Sequence, residues 1–255
     1  MTPLIKFKNV YLKREDYNQT GSAKDRAISL QIANLIKNNF KSAVISSTGN
    51  AAISAQYYCQ QNNIPLTIFV SPKTNPQKLK LLKNYQISRQ PISQAFKFAK
   101  QNNAYLLRQS TDPVALEGYS QIGQELIEQL PQITSLFIPV GSGSTLLGIS
   151  QRLPKSVKIF AVQPASYCPI ASCLDKNFVP ETDTITDALG AKLLPLKNKI
   201  LSLITSGIVV QNADVVAQTI NTSPEGNLAY AGYLKAKNLF PVGEYPVILL
   251  TGAKR

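Results

Sequence analysis

Short apolar runs recur along this chain, each followed by a turn of small polar residues and then by a stretch with helical spacing. That alternation leaves few folds open. Runs at 43–45, 65–70, 104–107, 136–140, 157–162, 208–210 and 247–250 are too short and too continuously apolar for amphipathic helices, and read as strands buried on both faces. Between them lie predicted helices at 24–38, 50–62, 75–84, 93–102, 113–130, from 146 onward, 212–221 and 224–239. Residues 9–14 alternate like one more short strand, and 164–206 mixes short helices with loops. Strand, turn, helix, repeated in this way, predicts an α/β protein with parallel sheets.

Composition narrows the chemistry. With 44% hydrophobic and 16% charged residues in 255, there is a sizeable core, and no run approaches the roughly 18 apolar residues of a membrane span. The start, Met1 to Lys6, lacks the apolar centre of a secretory signal, so the expectation is a cytoplasmic protein. Histidine is absent, which excludes Ser-His-Asp and Cys-His triads, histidine metal sites and histidine acid-base catalysis. A base must be lysine, a carboxylate, tyrosine or the substrate. Cys59, Cys168 and Cys173 lack the spacing of zinc or redox motifs and read as core or incidental thiols. The formal charge of +13 is dispersed, with Lys73, Lys78, Lys80 and Lys83 along one predicted helix and no nucleic-acid motif. It predicts a solvated lysine-rich surface, no nucleic-acid or membrane partner, and second to that an anionic small-molecule ligand.

Four turns carry candidate chemistry. Thr20-Gly21-Ser22-Ala23 precedes Lys24, where Gly21 and Ser22 can cap the helix and Lys24 falls in its first turn. A cation there opposes the helix dipole, so a neutral amine or an imine is less penalised than elsewhere, which suits a nucleophilic lysine. Gly141-Ser142-Gly143-Ser144-Thr145 lies between a strand and a helix. It lacks both the third glycine and distant acid of a dinucleotide fingerprint and the Gly-Lys-Ser/Thr of a triphosphate loop, leaving a single-phosphate cradle or a structural glycine turn. Ser46-Ser47-Thr48-Gly49-Asn50 is a second such turn, able to bind a carboxylate or to serve as an ordinary N-cap cluster, with Asn50 placed to donate to a phenolic oxygen. Thr251 ends the last strand, where open α/β sheets place ligand-binding groups.

Taken together, these stretches and Glu117-Gly118-Tyr119 resemble the fold type II family of pyridoxal-phosphate enzymes, over nearly the whole chain. The resemblance implies two open twisted, mostly parallel sheets with flanking helices. The smaller lobe would be 21–130, the larger 1–20 with 131–255, and the cofactor would lie in the cleft. It implies that Lys24 carries pyridoxal 5'-phosphate as an imine and moves the substrate's α-proton. Gly141, Ser142, Gly143, Ser144 and Thr145 would hold the phosphate, Asn50 would contact the 3-hydroxyl, and Thr251 would meet the ring nitrogen. Ser47, Thr48, Gly49 and Asn50 would take the substrate carboxylate.

Within the family, Ser47-Thr48-Gly49-Asn50, Leu116-Glu117-Gly118, Phe160-Ala161-Val162-Gln163 and Leu249-Leu250-Thr251-Gly252 look like threonine synthase. That likeness implies a lyase of threonine biosynthesis, releasing phosphate from O-phosphohomoserine, a small anionic amino-acid substrate and a homodimer. The departures are Ala23 before the lysine, serines in the glycine turn, and Gln109-Ser110-Thr111-Asp112-Pro113-Val114-Ala115 in place of the stretch that reads the substrate phosphate. Ser110 survives there, but the arginine is Ala115, so Arg108 or Lys73 would have to supply the charge. A serine or threonine dehydratase and a cofactor-binding member without catalysis are the alternatives.

Overall fold

The computed structural model describes residues 1–74, 76–190 and 194–254. In chain order its elements are β1 (Leu4–Phe7), β2 (Val10–Arg14), α1 (Lys24–Lys37), β3 (Ser42–Ser46), α2 (Asn50–Gln61), β4 (Leu66–Val70), α3 (Pro76–Leu79), β5 (Tyr85–Ile87), α4 (Pro91–Asn102), β6 (Ala104–Leu106) and α5 (Pro113–Gln129). There follow β7 (Ser135–Pro139), α6 (Ser144–Ser150), β8 (Lys158–Pro164), α7 (Lys197–Leu201), β9 (Ser206–Val210), α8 (Asn212–Val216), α9 (Pro224–Ala236) and β10 (Pro246–Leu250). They form two compact units, one of residues 24–118 and one of 1–23 with 119–255. No helix among the described residues is long and apolar enough to cross a membrane.

The unit 24–118 is built on a four-stranded parallel sheet in the order β5-β4-β3-β6. Its helix α1 buries Ala27, Ile28, Ile32 and Leu35 at helical spacing against β3 and α2, whose own buried face is made small by Ala51, Ala52 and Ala55. Small side chains let the two helices approach closely. α4 starts on Pro91, where the missing N–H costs nothing, and stops at Asn103 in the left-handed region (φ 48°). The helix expected at 75–84 is a single turn, Pro76–Leu79, so of Lys73, Lys78, Lys80 and Lys83 only Lys78 is helical. Leu79, at the end of that turn of helix, and Leu82 beyond it pack on the core, and the chain then enters β5, a three-residue edge strand whose sequence signals nothing.

The other unit has a six-stranded sheet, β1-β2-β10-β7-β8-β9, antiparallel only between β1 and β2. β7, β9 and β10 are buried along their whole length, which is why their sequences run continuously apolar. α9 lies on β7, β8, β9 and β10, and the Phe137 and Phe160 rings stack beneath it at 4.6 Å with Tyr233 edge-on to Phe137 at 5.4 Å. Side chains of this size each contribute about 1.5–3 kcal/mol on burial. A fully buried lysine ties the hairpin to α5: Lys13 donates to the Glu125 carboxylate, to Gln129 Oε1 at 2.9 Å and to the Thr2 carbonyl at 2.9 Å. Removing either charge would take away the nearest countercharge of the other and destabilise the fold.

Candidate functional site

In the unit 24–118, Lys24 and Asn50 are the first residues of α1 and α2, two helices packed on each other. Between them runs a buried bond: Ser54 Oγ donates to Asp25 Oδ1 at 2.6 Å, with Asp25 3% and Ser54 0% exposed. Neither residue is conspicuous in the sequence. The signal was a serine on the apolar face of α2, among Ala51, Ala52 and Ala55, where a polar side chain needs a partner. The charge of Asp25, with burial as the larger cause, also pushes the nearby Tyr58 hydroxyl up to about 12.

The turn from β3 into α2 is partly exposed from Ser46 to Asn50. Its Gly49 amide donates to Ser47 Oγ at 3.3 Å, and the Gly49 carbonyl accepts from Ala52 and Ile53, starting the helix. Nothing lies within 4 Å of where a Cβ at Gly49 would stand. β6 is the parallel neighbour of β3, so Arg108, two residues past its end, belongs to the same carboxyl edge. Arg108 lies over the Phe96 ring at 5.2 Å, its Nε is buried without a hydrogen-bond partner, and it lines a small pocket with Ser46, Leu106 and Leu107. Ser110 follows in a loop held by Asp112, whose carboxylate accepts from Gln31 at 2.6 Å, Tyr105 at 2.7 Å and the Val114 amide at 2.9 Å. Ala115, at the position of the missing arginine, is fully buried in α5.

In the other unit, β7 and β10 are adjacent parallel strands, so the 141–145 turn and Thr251 leave from the same edge. Gly143 is left-handed (φ 87°), a conformation that glycine adopts without penalty, and a Cβ there would stand 1.8 Å from Ile200 Cδ1. The hydroxyls of Ser142 and Ser144 lie 2.9 Å apart, and α6 begins on Ser144. Thr251 is half-buried, its carbonyl accepting from Ala23 N at 3.0 Å. Gly21 and Ser22, just ahead of α1, are strand-like partners of residues 252 and 253: Ser22 bridges Gly252, and the Gly21 carbonyl accepts from Ala253 at 2.8 Å. The Gly252 carbonyl in turn accepts from the Ser223 amide and from Thr222 Oγ1, at the start of α9. Here Ser223 Oγ and Asn227 Oδ1 are buried without partners.

Among curated proteins the chain is similar to L-threonine ammonia-lyase of Geobacter sulfurreducens, 25% identical over 198 residues, covering 72% of this chain and 49% of the relative. It is similar to rat serine racemase, 28% identical over 177 residues, covering 62% and 52%. The chain thus spans about half the length of the curated relatives it matches. In fold it resembles maize serine racemase, with a TM-score of 0.86 at 20% identity, covering 100% of this chain and 88% of that one. Threonine deaminase isoform 2 of Solanum lycopersicum gives 0.83 at 22%, covering 100% and 84%. These relatives are ammonia-lyases and racemases, and the likeness to threonine synthase within the family gains no support from them. The pyridoxal-phosphate dependent enzyme family matches residues 1–252, and the chain belongs to that family.

Proposed function

We propose that this protein is a pyridoxal-phosphate-dependent ammonia-lyase acting on serine or threonine, releasing ammonia and a 2-oxo acid. The choice within the family rests on Ala115. A substrate phosphate calls for a bidentate arginine, and the position where the threonine synthase pattern would carry one is a fully buried methyl group. The ammonia-lyases among the relatives point the same way.

The residues present fit the cofactor. A phosphate calls for several N–H and O–H donors on a backbone that can come close, and the 141–145 turn has two glycines, three hydroxyls and the start of α6. A ring nitrogen left unprotonated calls for a neutral hydroxyl, as at Thr251. When bound, the cofactor supplies an electron sink for the bond electrons at the substrate's α-carbon.

In this proposal Lys24 would hold the cofactor through Nζ, and as a free amine the same Nζ would move the substrate's α-proton. No histidine competes for that task. Ser47, Thr48 and Gly49 orient the substrate carboxylate through hydroxyls and amides at the start of α2, where the helix dipole favours an anion. Asn50 donates to the phenolic oxygen. Arg108 is the one feature that favours an anionic substrate instead, since its Nε is buried and unpaired beside Ser46.

The test is direct. Purified protein mixed with pyridoxal phosphate should turn yellow, borohydride should fix the cofactor to Lys24, and serine or threonine should yield ammonia and a 2-oxo acid. Phosphate release from O-phosphohomoserine, lost in Arg108→Ala, would replace this reading with threonine synthesis. Reduction of the cofactor onto another lysine in Lys24→Ala would sink the site assignment.

A further inference from the structure

We infer that Asp25 and Ser54 are positioning residues, whose buried hydrogen bond fixes the start of α1 against the start of α2 and so sets the place of Lys24 relative to Asn50. The inference rests on the reading above, in which those two residues hold one cofactor. Three observations carry it. Asp25 is the second residue of α1, next to Lys24, and Ser54 lies one turn beyond Asn50, so the bond ties the start of α1 to the second turn of α2. Both side chains are buried beside the apolar cluster that α1 and α2 share, where losing a hydrogen bond to a buried carboxylate is costly, and the pairing therefore favours one geometry. The backbone allows little other adjustment. A Cβ on Gly118 of α5 would stand 2.2 Å from the Arg26 carbonyl, so α1 is already wedged at its first turn and can shift only if this contact opens.

The charge has a second effect. The positive end of α1 lies at Lys24, and a carboxylate in the same first turn offsets it.

Four variants separate positioning from simple loss of stability. In Ser54→Ala and Asp25→Ala, affinity for pyridoxal phosphate should fall about tenfold or more, because a site that is no longer preorganised loses affinity on that order. The visible absorbance of the bound cofactor should shift as well. Asp25→Asn keeps the acceptor oxygen and should recover most of the affinity. Cys59→Ala, in the same core but at the far end of α2, should lower Tm comparably and leave affinity and spectrum unchanged. If Ser54→Ala binds the cofactor within about twofold of wild type with an unaltered spectrum, or if Cys59→Ala weakens binding equally, the pair is only structural and the inference is overturned. Failure of the wild-type protein to take the cofactor at Lys24 would overturn the proposed function together with it, whereas normal wild-type binding with unaffected variants overturns this inference alone.

Discussion

The turn that closes β3 and the turn that closes β7 read alike, small hydroxyl residues around glycine between a buried strand and a helix, yet their glycines answer to different demands. Gly143 is left-handed and closed in by Ile200, so any side chain there is strained and must displace Ile200. Gly49 is extended (φ −113°), caps α2 and faces open space, so nothing in the protein requires it to be glycine. The first glycine is explained by packing. The second is left to be explained by something outside the chain, and a ligand carboxylate close to the backbone is the reading adopted above. It follows that Gly143 is a poor probe of a phosphate cradle, since replacing it damages the fold before any ligand is considered.

The largest effect should come from Gly143→Ala, destabilising by about 2–4 kcal/mol from backbone strain and overlap with Ile200. In an Ile200→Ala background the same substitution should cost at least about 1 kcal/mol less, as chemical denaturation of the four proteins of the cycle would show. Additivity would mean that strain alone accounts for Gly143. Next is Gly49→Ser, where stability should hold or rise by about 0.5 kcal/mol, since serine is a favoured N-cap. Binding of serine or threonine to the cofactor-loaded protein should nevertheless weaken about tenfold, read from the spectral titration. Unchanged binding would put Gly49 on the same footing as any helix cap.

A smaller effect is expected of Ser142→Ala. It removes one hydroxyl from the 2.9 Å pair with Ser144 and should weaken cofactor binding by about 0.5–1.5 kcal/mol at near-constant Tm. Loss of stability without loss of affinity would make the pair a purely internal bond. The smallest effect tests whether α2, open at its first turn, is closed at its last. Burial pushes the Cys59 thiol up to about 12 from 9.0, so folding favours the protonated form. Its stabilisation is fully present below pH 9.0 and is lost as pH rises from there towards 12. Alkylation of Cys59 should therefore be far slower than that of exposed Cys173 at pH 8, and Cys59→Ala should flatten the loss of stability above pH 9.0. Equal labelling rates would show that α2 opens along its length.

Strands buried on both faces were the plainest to read, while the partly buried β2 and β6 were read from alternation and from a short apolar run. β7, β9 and β10 are continuous apolar runs because both sides of each meet core, whereas β1 and β5 are short edge strands with exposed positions and left no pattern to find. At 75–84 the sequence predicts a longer helix than forms, since only one turn, Pro76–Leu79, is completed before the chain enters β5. The candidate site was legible where its residues sit in contiguous turns: Lys24 after its small-residue turn, Ser47 to Asn50, the 141–145 turn, Thr251. It was illegible where two distant side chains meet, as with Asp25 and Ser54, or Asp112 with Gln31 and Tyr105.

By itself, then, the sequence determined the alternation of strands and helices and the places where small-residue turns follow strands, since both depend on local periodicity and backbone freedom. Tertiary structure alone decided which glycine is obligatory and which is free, which polar groups in the core have partners, and that Ala115 is a buried methyl with no room for the work of an arginine. Those properties belong to what surrounds a residue, and its surroundings come from segments tens or hundreds of positions away that only the folded chain brings into contact.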